Sequence, residues 1–280
     1  MHTIVDSTEF DTAYPDQRAV STIKVDTPLI SRARLVGLAQ SHPAELVEFN
    51  PGDLPISVSA DSIPEAGMSA PETIEKIGMV NSWMVIRNIE KDPSYRALAH
   101  GILDSLKETI ERETGEMMRR EAFMFISSPG AVTPFHIDEE HNILIQLEGT
   151  KTFTVYSQHD RELASQTDLE NFHSGAHRNL KLNPECAGRG EAIHMEPGTA
   201  LYVPPLAPHH VKVTSDVPSL SLSITWRSES SKRNCYLHQI NHKLRQKGVT
   251  PKFPGESKLS DTVKIWKESA AARLNKVVNR

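Results

Sequence analysis

Cysteine is nearly absent from this chain: Cys186 and Cys235 are the only two among 280 residues. So sparse and widely spaced a pair builds no disulfide framework and no Cys-x-x-Cys metal or redox module. It points to a reducing, cytoplasmic setting with both thiols free. Long apolar runs are missing as well. None approaches the roughly 20 residues that span a bilayer, so no membrane helix is expected. The stretch from Met1 to Phe10 has neither a basic nor an apolar segment, so no signal peptide is expected either. Internal repeats and low-complexity tracts are also missing, which argues against a solenoid or a compositionally biased tail.

What is present reads as an ordinary globular chain, 38% hydrophobic and 24% charged. Its length can bury a sizeable core, as one large domain or one domain with helical additions. The net charge of −5 hides an asymmetry. Residues 227–280 hold 13 Lys/Arg against 4 Asp/Glu, whereas residues 1–226 hold 18 against 32. The basic residues are spread out and have no interleaved aromatic platform, which disfavours nucleic acid as a partner. A solvated helical face offsetting an acidic body accounts for them.

The organisation is read from periodicity. Residues 1–120 form a mixed α/β region expected to pack on the core, with weak signals over the first 70 or so. Short helices are expected near 30–40 and after Ser69, and a strand at 83–89. Asp92-Pro93 opens the clearest helix, with Leu98, Ile102, Leu106 and Ile110 on one stripe and Gly115 at its exit. Between 121 and 226 the rhythm changes to eight short β-rich runs. They fall at 122–126, 135–138, 143–147, 152–156, 192–195, 201–203, 209–213 and 220–226, with Gly149 as a hairpin signal. This predicts a mainly β protein with flanking helices and a jelly-roll core. A polar insertion at 157–191 interrupts it, as lids and loops do. Residues 227–280 return to helix. One apolar stripe is Tyr236, Ile240 and Leu244; another is Val263, Trp266, Ala270, Leu274 and Val277. Such stripes need a cover, and a homodimer contact through these helices is the expected one.

The chemistry concentrates in two segments. His136 and Asp138 are two apart, a spacing that puts both on one face of a strand. Further on, Val203-Pro204-Pro205 leads into His209-His210. Two imidazoles and one carboxylate leave open positions on non-haem iron(II). Only one of His209 and His210 can face the metal, because successive strand residues point oppositely. Glu140 and His141 are read as supporting or surface residues, and His173 and His177 as surface histidines.

Together these segments resemble the JmjC-type branch of the cupin superfamily, the iron(II)- and 2-oxoglutarate-dependent oxygenases. The likeness is greatest to the asparaginyl-hydroxylase type that acts on the hypoxia-inducible factor and to bacterial jumonji-related cupin-like proteins. The proximal pattern is Thr133, His136, Asp138, Asn142 and Lys151; the distal one is Val203-Pro204 with His209-His210, closed by Trp226. The resemblance implies a double-stranded β-helix and selects His136, Asp138 and His209 as metal ligands. It assigns Lys151 and Thr133 to the distal carboxylate of 2-oxoglutarate and Asn142 to the metal end. One position departs: Ile224 stands where that hydroxylase type has Asn, and strand alternation argues against Ser223 or Thr225 simply replacing it.

The implied activity is a dioxygenase using Fe(II), 2-oxoglutarate and O2. It would hydroxylate an unactivated C–H bond of a protein side chain or small molecule while decarboxylating 2-oxoglutarate to succinate. The rival readings are a JmjC-type demethylase and a metal cupin enzyme or sensor that does not use 2-oxoglutarate.

Overall fold

A computed structural model describes residues 7–25, 28–58 and 69–278, the side chains of Phe49 and of residues 272–278 excepted. Leu274 and Val277 of the expected second stripe therefore lie outside the described side chains. In chain order the elements are α1 (Thr8–Ala13), β1 (Ala19–Thr22), α2 (Arg32–Ser41), β2 (Val47–Pro51), α3 (Ala70–Glu75), β3 (Ser82–Ile86) and α4 (Pro93–Thr114). Then come β4 (Met117–Ser127), β5 (Val132–His136), β6 (His141–Glu148), β7 (Lys151–Val155), α5 (Gln166–His173), β8 (Glu191–Met195), β9 (Thr199–Val203), β10 (His209–Val213) and β11 (Ser219–Ser228). Two long helices, α6 (Glu229–Gln246) and α7 (Lys258–Val278), end the described chain.

The strands form two antiparallel sheets. The larger runs β1-β9-β6-β11-β4-β3-β2 and the smaller β5-β10-β7-β8. All eight runs expected between 121 and 226 are strands. Three further strands from the first 90 residues extend the larger sheet at both edges, so much of the N-terminal region is built into that sheet. Of the three, only the strand near 83–89 was expected.

The larger sheet is buried on both faces. Along β11, Leu220, Leu222, Ile224 and Trp226 join the helix-side core with Leu98, Ile102, Leu106 and Ile110 of α4. Each such side chain contributes roughly 1.5–3 kcal/mol by leaving water. Asp92 caps α4 by accepting from the Ser94 N–H at 2.9 Å, and Gly115 ends it at φ 78°. The opposite face of β11 is polar. Ser221 Oγ donates to Gln146 Oε1 at 2.6 Å, and Gln146 Nε2 donates to Ser219 Oγ at 2.9 Å. These bonds satisfy buried groups between the sheets that would otherwise cost free energy. Beside them, Leu144, Phe153, Val155, Met195 and Leu201 form the inter-sheet core.

The 157–191 insertion carries α5 and covers the free edge of β5. The Ile137 N–H donates to Arg178 O at 3.2 Å and the Leu180 N–H to Phe135 O at 2.9 Å. An edge strand left bare would invite pairing with another chain. The helices after β11 differ from expectation in part. Leu237 and Ile240 of α6 are buried, and this helix packs on α5, α4 and β11 of its own chain. Leu259, Val263 and Trp266 of α7 stay exposed, Trp266 at 69%. No helix among the described residues is long and apolar enough to cross a membrane.

Gly149 turns β6 into β7 at φ +65°, and a Cβ there would lie 2.5 Å from Pro218 O. Gly149→Ala is therefore expected to destabilise the fold by about 1–3 kcal/mol. Urea unfolding measures it; an unchanged midpoint would show that the turn relaxes without cost.

Candidate metal centre

β10 lies between β5 and β7, and its register fixes what faces what. His209 pairs with His136 on one side and with Val155 on the other. The strand carrying His136 ends at that residue, so Asp138 stands just beyond it rather than within it as the sequence suggested. Ile137 between them turns away into a cluster with Leu169 and Leu206. The His-x-Asp alternation thus persists past the last ladder bond.

One carboxylate oxygen meets both imidazoles. Asp138 Oδ2 lies 3.6 Å from His136 Nε2 and 3.5 Å from His209 Nε2, and the three donor atoms all fall within 4.8 Å of one another. The far ring nitrogens are tied back to the main chain. His136 Nδ1 donates to Pro134 O at 2.7 Å and His209 Nδ1 to Ala207 O at 2.9 Å. These bonds turn each Nδ1 to a carbonyl and each Nε2 toward Asp138, the orientation in which Nε2 can serve as a metal ligand. Phe153 stacks on the His209 ring at 4.9 Å and fixes its plane.

The electrostatics suit a cation. Burial, reinforced by neighbouring His136, lowers the His209 pKa to about 3, so its imidazole is neutral at pH 7. Burial works against ionisation of Asp138, but His136 and Arg178 outweigh it and hold the carboxyl well below its usual range. Arg178 Nη1 donates to Asp138 Oδ1 at 2.9 Å, leaving Oδ2 to the imidazoles. The Asp138 side chain keeps 26% of its surface open, so the carboxylate can be reached. Arg178 belongs to the insertion, and no motif in the sequence marks it.

The same cavity holds the remaining expected residues. Thr133, Asn142 and Lys151 line it with His136, Asp138 and His209 around a volume of about 50 Å³. Lys151 is 4% exposed and has no hydrogen-bond or ion-pair partner among the described residues. Burial brings its pKa down to about 7. An amine this dry and unpaired is costly unless an anion joins it. Ser223 Oγ donates to Asn142 Oδ1 at 2.7 Å, which leaves the Asn142 NH2 as a donor. Ile224 belongs to the helix-side core. Its hydrophobicity therefore removes nothing from the cavity, and Ser223 supplies the polar contact on that side.

Other candidates lie elsewhere. His210 faces outward toward Tyr156, ring to ring at 6.3 Å. His141 is a core residue, bonded to Tyr202 OH at 2.9 Å and Ser228 Oγ at 3.1 Å and stacked on Trp226. It is neither a surface residue nor a support for the metal centre. Glu140 pairs with Arg227 at 3.0 Å. His173, expected on the surface, has a side chain only 3% exposed. A wider cleft of about 570 Å³ shares Phe125, Thr133, His136 and Arg178 with the cavity and extends to Glu48 and Trp83.

Comparison with known proteins agrees with this architecture. Jumonji C domain-containing protein 5 of Drosophila melanogaster is 30% identical over 108 residues, 36% of this chain. The match spans about a quarter, 26%, of that protein's length. Among solved structures, Escherichia coli YcfD superposes with a TM-score of 0.55 at 15% identity, covering 97% of this chain and 68% of that one. The ribosomal oxygenase YcfD in complex with cobalt and 2-oxoglutarate superposes at 0.52, with the same identity and coverage. Residues 102–234 match the JmjC domain family.

Proposed function

We propose that this protein is an iron(II)- and 2-oxoglutarate-dependent dioxygenase that hydroxylates an unactivated C–H bond of a protein side chain or small molecule. The observation that carries the reading is Lys151, buried and unpaired in the cavity that holds the His136–Asp138–His209 cluster. A metal cupin without 2-oxoglutarate has no use for such a cation at that depth. The donor set fits iron: two neutral imidazoles and one carboxylate bind it and leave further positions open. The solved YcfD complex with cobalt and 2-oxoglutarate, on the same fold, supports the assignment.

His136, Asp138 and His209 would hold the iron. Bound there with 2-oxoglutarate and O2, it supplies the oxidising power that turns 2-oxoglutarate into succinate and carbon dioxide and hydroxylates the substrate. The chain's own residues place and shield the reactants. The Lys151 ammonium receives the distal carboxylate, and the Thr133 hydroxyl donates to the same group. Lys151 pairs with Val213, four residues along β10 from His209. That spacing sets the two ends of the pocket on the order of 13 Å apart along the backbone, before the lysine reaches back. Asn142, held by Ser223, offers its NH2 at the metal end. Phe153 and Leu144 keep the pocket dry, which strengthens every charge interaction inside it. The wider cleft with Trp83 and Glu48 is the room for the substrate.

The exposed face of α7 suggests an assembly. Leu259, Val263 and Trp266 follow one another at i, i+4 and i+7, and a second copy of this basic helix region is the proposed cover, facing the acidic body. Both cysteines are free, which supports a reducing cytoplasmic setting.

Three outcomes test this reading. His136→Ala and Asp138→Ala are expected to lose the bound iron with the fold retained; stoichiometric metal in both by elemental analysis would overturn the ligand assignment. Lys151→Ala is expected to weaken 2-oxoglutarate binding by roughly 2–5 kcal/mol. In the parent, a carboxylate partner raises the lysine pKa above its unbound value of about 7. Affinity is therefore full below pH 7 and falls as pH rises above it, up to about tenfold per pH unit. Calorimetry measures both, and a flat pH profile in the parent would remove Lys151 from the anion seat. Light scattering on the full chain is expected to give a dimer that Trp266→Glu splits; a parent monomer at micromolar concentration ends the dimer reading.

A further inference from the structure

Behind the metal centre, three segments far apart in sequence bring together a second set of metal-ligating atoms. Glu139 follows Asp138 on the loop after β5, His173 ends α5 in the insertion, and Cys235 lies on α6. One ligand atom from each lies within 4.8 Å of the others, and His173 Nδ1 is 3.8 Å from Glu139 Oε2. A zinc ion with bonds of about 2.0–2.3 Å sets its donors on the order of 3.3–3.8 Å apart, so modest side-chain rotation closes this triangle.

Glu139 pairs with Arg227 and Cys235 Sγ accepts from Gln239 Nε2 at 3.8 Å, but buried imidazole nitrogens beside them lack partners. The His173 side chain is 3% exposed and its Nε2 is buried with no hydrogen bond. His238, fully buried, stacks on it at 5.0 Å with both ring nitrogens unpartnered. The charged groups facing the triangle are Glu139, Glu140 and Arg227, the last paired with both carboxylates. Arg227 is one cation set against these two carboxyls, and a Cys235 thiolate would add a further negative charge. A divalent ion would offset the thiolate and displace the thiol proton to solvent.

We propose that Glu139, His173 and Cys235 form a second metal site, selective for zinc-like ions and separate from the His136–Asp138–His209 centre. The sulfur donor sets the selectivity: it favours zinc over magnesium or calcium, whereas the first centre offers only nitrogen and oxygen. The ion would fasten the insertion and α6 to the loop that carries Asp138. Arg178, five residues beyond His173, is bonded to Asp138, so loading this site steadies the first centre from behind. The proposal does not depend on the activity assigned above.

Cobalt(II) added to the metal-free full chain tests it, because a cobalt–thiolate bond gives a near-ultraviolet charge-transfer band that histidine and carboxylate ligands do not. The expected result is a band that survives Asp138→Ala and disappears in Cys235→Ser and His173→Ala. A band lost in Cys186→Ser instead, or no band in the parent, overturns the proposal. Alkylation of the unsubstituted protein checks it without any variant. Zinc at about ten times its Kd should slow modification of Cys235 about tenfold by occupancy; equal rates with and without zinc overturn the site.

Discussion

The register of β10 between its two neighbours governs everything the cavity can do. Because side chains alternate along a strand, His209, Val211 and Val213 share one face, and β5 and β7 present His136 and Lys151 to that same face. A slip of one residue would turn His209 outward and His210 inward. It would also move His136 off its partner and break the cluster. The irregularity between His209 and Val211 in the pairing with β5 falls beside the cluster, where the two imidazoles must converge.

That register is held by layers on both sides. The larger sheet is packed against α4 on one face and against the smaller sheet on the other, so β11 is apolar toward the helix and polar toward the sandwich. Its polar row of Ser219, Ser221 and Ser223 satisfies Gln146 and Asn142 of β6. A hydrophobic row there would pack as well, but it would leave Asn142 free to swing. Hydroxyls fix the amide in one orientation and keep its donors toward the cavity.

The insertion does more than cover an edge. It delivers Arg178 to the outer oxygen of Asp138, so the carboxylate stays ionised and its other oxygen stays free for the imidazoles. It also delivers His173 to the back of the same loop, beside Glu139 and Cys235. The insertion thus contacts both Asp138 and Glu139 of the same loop. Lys151 is the opposite case: nothing grips it. Its amine is left unpaired among the described residues, and burial lowers its pKa to about 7.

Much of this was legible in the sequence because the signals were local. Alternation and turn residues marked all eight strands of the core, and Asp92-Pro93 with the Leu98–Ile110 stripe marked α4. The offsets of Thr133, His136, Asp138, Asn142 and Lys151 named residues that the structure gathers around one cavity. What the sequence could not show depended on distant pairing. β1 and β2 are short and weakly patterned, and they exist as strands because the edges of a sheet formed by later residues accept them. Arg178 and His173 sit in the polar insertion and Cys235 beside the Tyr236–Ile240–Leu244 stripe, and only the folding of α5 and α6 around the Asp138 loop brings them near it. The side chain of Ile224 and the burial of His141 were likewise settled by which face of a doubly covered sheet each strand position occupies. Local patterning gives the elements and the ligand types; the long-range pairing of strands decides which of them meet.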